Sequence, residues 1–525
     1  MKIKIFIVGL IMAVFDHVGL NAKQINYVEY SNPNVVTTDL YRQSNEFQKD
    51  FLLFLNMLDQ THPAFAIQSP FDVDSIRNVG LRVLSDCQSQ AFFKSYLQSI
   101  VSPLKDGHTG VFLEFNMDFC YPFYLFIDQN GFMLEGISTQ YEDYLGKKVC
   151  RINNVDAVEV MDGFREIMIC ENELNFQKMV CGWMQLYDMW ENTPYSEQDS
   201  TLLLSFADGT EIKLEPQKAT DIKMSWQQQL HNSSESPRTP SKLPFRYQIF
   251  EDEKICYFQF NACMDQNTYR FQYLMGQIDG LSEAELEEKI AGVPRFDTFL
   301  EEMFQAIRNN EIETLVVDVS ENSGGNSMLC DQLLSWFKFH DNTEGFGQQI
   351  RFSKLWEASY PVLSDKVKKT FSENNISYRL GSLFDWEDVD VLLSDSVLYE
   401  KMKEFFVLNS DENKIFKGNV VFIQGKDTYS SAGQLIVEAI DNEIGIVIGE
   451  KSSYRPCHYG DLLGWELPNT KAQGYVSHKF FVRPDSERCG EDCVIPQVYI
   501  PNTWSDKING VDACWNWILE NYNKK

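Results

Sequence analysis

Three short segments of this sequence carry residue types and spacings able to do chemistry. In Val420 to Gln434 an apolar run ends near Gly425, a polar loop follows, and Ser430-Ser431 opens a stretch with apolar residues at helical spacing, Leu435, Ile436, Ala439 and Ile440. A serine at a helix start is most often an N-cap. A nucleophilic hydroxyl in the same place would gain from the positive helix end and its free N–H groups. The second segment runs from Leu315 to Asn326 and places Gly324-Gly325 just beyond a buried-strand pattern. Glycines let the backbone approach a ligand closely, and their N–H groups can stabilise an oxyanion; a tight turn is the plainer use of the pair. The third is Lys105-Asp106-Gly107-His108-Thr109-Gly110. Histidine has the pKa suited to taking a proton from serine near neutrality.

The elements that must position these groups follow from periodicity. Phe51, Leu52, Leu55 and Leu58 predict a helix that stops at His62-Pro63, and helical spacing returns from Phe92 to Val101. Residues 23–115 read as a mainly helical N-terminal region. From Cys120 to Leu214 the pattern turns to strands, with Asp208-Gly209 as a hairpin turn between Leu202–Phe206 and Thr210–Leu214. Residues 116–232 form one β-rich unit on this reading, and 233–244, rich in Ser and Pro, a linker. From 245 onward strands and helices alternate, and continuous apolar runs such as Leu315–Val317 and Val420–Ile423 predict a largely parallel sheet covered on both faces.

The whole chain sets the setting. It has 525 residues, enough for two or three domains. Lys2 and Lys4, the apolar run Ile5–Phe15 and the small Ala22 make residues 1–22 a secretory signal, too short to span a membrane as a helix. The expected location is periplasmic or extracellular, with no membrane span in the mature chain. A net charge of −30 excludes sequence-independent nucleic-acid binding, because phosphates would be repelled. The twelve cysteines are scattered, so most read as small buried residues; Cys489 and Cys493 are close enough to pair. No CxxC pair or ligand-spaced histidines suggest a metal.

Taken in chain order, the segments resemble the C-terminal-processing, or tail-specific, serine proteases and their tricorn-like relatives, peptidase family S41. The resemblance rests on the Asp106-Gly107-His108-Thr109 motif, Asp318 to Gly325 after a strand, Ser431-Ala432, Gly449-Glu450, Leu467-Pro468-Asn469-Thr470, Arg483-Pro484-Asp485 and Gly510-Val511-Asp512. It implies an α/β, multidomain protein with a helical N-terminal region, a PDZ-like β-rich domain and a ββα-type, crotonase-like protease core over 245–525. It implies an exported serine-type endopeptidase, without cofactor, cleaving peptides or unstructured protein tails through an acyl-enzyme. The family nucleophile falls on Ser431, and the oxyanion N–H groups on Gly325 and Ala432. The lysine of the Ser/Lys branch is Arg455 here, which cannot deprotonate. The base therefore moves to His108, with His458 and Lys451 as rivals. The orienting acid falls on Glu491, with Glu487 and Asp492 nearby. Two departures, Ser320 for the family arginine and Gly433 for its glutamate, leave a non-catalytic binding protein on the same scaffold as the alternative.

Overall fold

The computed structural model describes residues 22–25, 35–67, 71–113, 118–165, 168–191, 193–195, 200–227, 236–278, 280–337, 344–393, 400 and 403–522. The signal-like segment lies almost wholly outside these residues.

The chain starts with a two-residue strand, β1 (Lys23–Gln24), and continues through helices α1 (Glu46–Thr61) and α2 (Gln90–Val101) to strand β2 (Gly110–Val111). Helix α1 is the one its spacing predicts. Asn45 and Gln48 form a capping box at its start, and His62 ends it before Pro63.

The β-rich unit follows. It comprises β3 (Phe123–Asp128), β4 (Gly131–Ser138), β5 (Lys148–Ile152), helices α3 (Ala157–Gly163) and α4 (Glu173–Trp183), then β6 (Leu202–Phe206), β7 (Glu211–Leu214) and β8 (Met224–Trp226). Strands β6 and β7 pair antiparallel across Asp208-Gly209, as the turn residues require. With the two-residue strand Val155–Asp156 beside β5 these make a seven-stranded sheet, in which every pairing is antiparallel. Phe164, Phe176, Val180, Met189 and Trp190 build its core, all nearly inaccessible to solvent.

The last third carries β9 (Phe245–Phe250), β10 (Ile255–Phe260), α5 (Phe296–Asn309), β11 (Thr314–Asp318), α6 (Met328–Leu334), β12 (Gly347–Arg351) and β13 (Leu383–Asp385). After these come β14 (Asn419–Gln424), α7 (Ser431–Asp441), β15 (Ile446–Gly449), the hairpin β16 (His458–Glu466) and β17 (Gln473–Val482), β18 (Val498–Tyr499) and α8 (Ala513–Tyr522). Six of the strands form one sheet in the order β9-β10-β11-β14-β15-β18, parallel from β10 onward. One face packs on α5, α6 and α7, and the other on Trp515 and Ile518 of α8. Burial on both faces explains the unbroken apolar runs of its strands.

A third sheet is assembled from remote parts of the chain in the order β1-β16-β17-β12-β13, with β2 on β17. It shares one core with α1 and α2, where Phe51, Phe54, Leu97, Phe352, Trp356 and Trp465 are buried together. The N-terminal helices thus have no core of their own. Asp50 on α1 holds the Leu467-Pro468-Asn469-Thr470 turn by accepting from the backbone N–H groups of Asn469 and Thr470 and from the Thr470 hydroxyl. The stretch expected as a linker is also anchored. Arg238 is 5% exposed and pairs with Asp318 at the end of β11, at 2.8 Å. A guanidinium so buried stays only where a carboxylate meets it.

Cys489 pairs with Cys457 at the start of the hairpin, not with Cys493, which is a free cysteine. The nearest cysteine in sequence is not the nearest in space, because the β16–β17 hairpin folds back over the intervening residues.

Candidate active site

The site forms where β11 and β14 end side by side. The loops beyond them are bound together. Val319 N–H donates to Ile423 O, the Thr428 hydroxyl to Val319 O, and Tyr429 N–H to Asn322 O. Asn322 in turn accepts from the Gly324 N–H. Both glycines of the pair have left-handed backbone, φ 104° at Gly324 and 135° at Gly325. A Cβ at Gly324 would stand 2.7 Å from the Cβ of Ser430, and one at Gly325 would stand 2.4 Å from the Cys263 carbonyl oxygen. Only glycine fits either place.

The two serines at the head of α7 are not equivalent. Ser430 takes φ 51° and ψ −127°, a conformation that non-glycine residues rarely hold. This is the sharp strand-to-helix turn that lifts a hydroxyl clear of its backbone. Its Oγ lies 3.2 Å from His108 Nε2. Ser431, expected as the nucleophile, is the first helical residue, and its hydroxyl donates to Gly325 O at 2.8 Å. The structure therefore brings His108 to Ser430 and turns Ser431 to the Gly-Gly strand. The one-residue difference follows from the elbow, since the residue at the strained position points away from the helix and its neighbour into it.

The expected oxyanion donors divide in the same way. Ala432 N–H donates to Tyr429 O at 3.2 Å, so it is already engaged. Gly325 faces Cys263 only through its neighbours, Asn326 N–H and Gly324 O, which bond Cys263. Its own N–H is thereby directed to the opposite side. The Ser431 N–H, in the first turn of α7, has no intrahelical acceptor and lies 3.0 Å from the Cβ position of Gly324.

His108 is held by a buried carboxylate from its own loop. Asp106 accepts from His108 N–H at 2.8 Å, Thr109 Oγ1 at 2.6 Å, Ser477 Oγ at 2.7 Å and His62 Nε2 at 3.0 Å. His62 Nδ1 accepts from the Ala64 N–H, which leaves the ring proton on Nε2, directed at Asp106. Burial alone would raise the Asp106 carboxyl, but hydrogen bonding from His108 and His62 holds it well below the usual carboxylate range. Burial also works to lower the His108 pKa. Asp106, then Glu171 and Asp461, reverse that and raise it above the ordinary histidine value.

Glu171, which no motif or spacing marks, stands on the same side of the imidazole. Its Oε1 is 3.7 Å from His108 Nδ1, as is Asp106 Oδ1. It accepts from the Tyr429 hydroxyl and, at 3.1 Å, from the Arg455 N–H. Burial pushes its carboxyl up to about 7. Asp106, His108 and Glu171 offer ligand atoms within 4.8 Å of one another, the spacing of a candidate cation site. Both carboxylates already accept several protein donors, so the cluster is better suited to handling a proton than a metal.

The other candidates lie elsewhere. Glu491 accepts from Arg483 and Arg488, which also bind Asp441, and the carboxylates facing His108 are Asp106 and Glu171 instead. Asp492 meets the Arg455 side chain, and Glu487 is exposed. His458 bonds the Tyr454 hydroxyl, and burial holds its pKa well below the ordinary value. Lys451 is exposed. Gly433, where a glutamate was expected, lies under the Tyr454 ring, and a Cβ there would stand 2.3 Å from it.

Residues 289–455 match the family model described as peptidase family S41. No curated protein matches the sequence. Among solved structures, mature CPAF bound to lactacystin is similar at a TM-score of 0.59 and 13% identity, covering 91% of this chain and 97% of that one. Mature CPAF alone gives 0.59 at 14%, over 91% and 96%. At such identity the likeness is one of fold. The residues that resemble peptidase family S41 take in Gly324-Gly325, the Ser430 elbow and Arg455.

Proposed function

We propose that the chain is an exported serine peptidase whose nucleophile is Ser430 and whose base is His108. The observation that carries this is the 3.2 Å approach of Ser430 Oγ to His108 Nε2 from a strained strand-to-helix elbow. In this reading Ser430 Oγ attacks the carbonyl carbon of a peptide bond as its proton passes to His108 Nε2. Gly325 and Ser431 N–H groups hold the oxyanion. His108 then protonates the leaving amine, and water repeats the sequence on the acyl-enzyme. The Asp106 carboxylate, kept ionised, faces the imidazolium throughout. The Cys457–Cys489 disulfide supports an oxidising, extracytoplasmic setting. Among the described residues no helix is long and apolar enough to cross a membrane. The antiparallel unit of 123–226 is read as the PDZ-like domain, a place for an extended peptide tail to dock.

Of the two departures that favoured a non-catalytic protein, Gly433 has a local explanation, since it makes room for Tyr454, and Ser320 has none in the structure. Arg455, in place of the family lysine, serves Glu171 through its backbone N–H. The test is labelling of the full chain with a fluorophosphonate alongside hydrolysis of an unstructured protein. Ser430→Ala is expected to abolish labelling and reduce turnover by more than about 10³-fold, and Ser431→Ala by less than about tenfold. Labelling that survives Ser430→Ala and is lost in Ser431→Ala would return the nucleophile to Ser431.

A further inference from the structure

Glu171 belongs to the β-rich unit by sequence, in the loop between α3 and α4, yet it is 1% exposed and lies against the catalytic histidine. Its place is fixed from several sides. Asn172, which caps α4, sends its side-chain amide to Ser453 O at 3.3 Å and Asp492 O at 2.7 Å, both in the protease core. Glu171 Oε2 accepts the Arg455 N–H, and Oε1 accepts the Tyr429 hydroxyl. The Tyr429 ring stacks on the His108 imidazole with centroids 5.1 Å apart and planes at 22°. Its hydroxyl comes within 3.5 Å of His108 Nδ1. Gly107 leaves the room for this, since a Cβ there would stand 2.3 Å from the Tyr429 hydroxyl and 3.2 Å from Glu171 Oε1.

We propose that Glu171 is a positioning residue for His108: with Tyr429 it fixes the imidazole plane and stabilises the imidazolium formed when Ser430 gives up its proton. The proposal rests on the serine-peptidase reading above. The proton of Ser430 Oγ goes to Nε2, and the Nδ1 proton stays on the ring, facing Asp106 Oδ1 and Glu171 Oε1. No proton leaves the pair, and no other reactant is needed. The two carboxylates differ in kind. Asp106 is saturated by four donors from the N-terminal region and the β16–β17 hairpin, whereas Glu171 arrives on a loop of a separate sheet. The centre is therefore built from three parts of the chain, and the β-rich unit supplies one of its charges. The titratable groups around His108 are Asp106, Glu171, Tyr429 and His458, with Asp461 farther away.

The decisive measurement is the pH profile of fluorophosphonate labelling at Ser430 and of hydrolysis of an unstructured protein, on the full chain. Glu171→Gln keeps the shape and an acceptor for Arg455 N–H but removes the charge that raises the His108 pKa. The acid limb should therefore move to lower pH. The plateau kcat should fall about 10- to 100-fold, with KM within about twofold. Glu171→Asp should recover part of the rate. Tyr429→Phe should move the limb in the same direction, because loss of its hydroxyl makes Glu171 harder to ionise. An unlabelled Ser430 in the unmodified protein would remove the peptidase reading itself. Labelled Ser430 with an unmoved acid limb and rates within about twofold in Glu171→Gln would leave that reading standing and overturn the role of Glu171. Should Glu171→Gln not fold, an unmoved limb with rates within about twofold in Tyr429→Phe has the same force.

Discussion

Ser430 is held by the strand next to its own, whereas the carboxylate that supports His108 is held largely from distant parts of the chain. On the nucleophile side the contacts run between the ends of β11 and β14, through Val319–Ile423, Thr428–Val319 and Tyr429–Asn322. Backbone geometry, with one bond from the Thr428 hydroxyl, sets the Ser430 hydroxyl there, and these bonds offset the strain of the elbow. On the base side, Asp106 collects His62 from the end of α1 and Ser477 from β17. One partner of the proposed reaction is thus a local property of a parallel sheet. The other is a tertiary property, and it should fail when contacts well away from the bond being cut are removed.

Three substitutions probe the base side in descending order. Asp106→Asn removes the buried anion and is expected to lower kcat/KM about 10²- to 10⁴-fold. It also fixes the sign of the pH dependence. His108 must be neutral to accept the Ser430 proton, and its pKa is raised, so activity should climb with pH through a midpoint above about 6.5. Losing the Asp106 charge should shift that midpoint downward; an upward or absent shift would break the assignment of Asp106 as support for His108. Next, Gly107→Ala forces the Tyr429 hydroxyl aside and should cost about 10- to 100-fold in kcat with stability little changed. A rate unchanged by Gly107→Ala would mean that the Tyr429 stack does not set the imidazole. The mildest test is His62→Phe, which leaves Asp106 one donor short in the core. Thermal unfolding should show a loss of about 1–3 kcal/mol, with less than about tenfold in turnover. If turnover fell as far as in Asp106→Asn, the base would depend on α1 more directly than hydrogen bonding through Asp106 allows.

Much of the scaffold was readable beforehand because its patterns are local. The apolar runs of β11 and β14, the Asp208-Gly209 turn and the helix stopped at His62-Pro63 each announce themselves within a few residues. The site was harder for a physical reason. Ser430 and Ser431 are alike in sequence, and only the backbone torsion at the elbow separates them. Asp106 stood in a recognised motif, but its role depends on His62 and Ser477, which nothing in the sequence links to it. Glu171 sits in Ile169-Cys170-Glu171-Asn172, where no periodicity or spacing marks it. Cys457 was overlooked as the partner of Cys489 because proximity was judged along the chain.

The third sheet has a consequence for how activity arises in time. Strand β1 at Lys23–Gln24 pairs with Trp465–Glu466, and Ser430 meets a histidine 322 positions earlier. Loops of that length close slowly, and contacts so remote in sequence form late in folding. A full chain not yet folded would carry both groups of the proposed pair yet have no base beside its serine. On the proposed mechanism, hydrolysis would begin only after the last hairpin had closed over the first helices, so the topology itself would act as a timer.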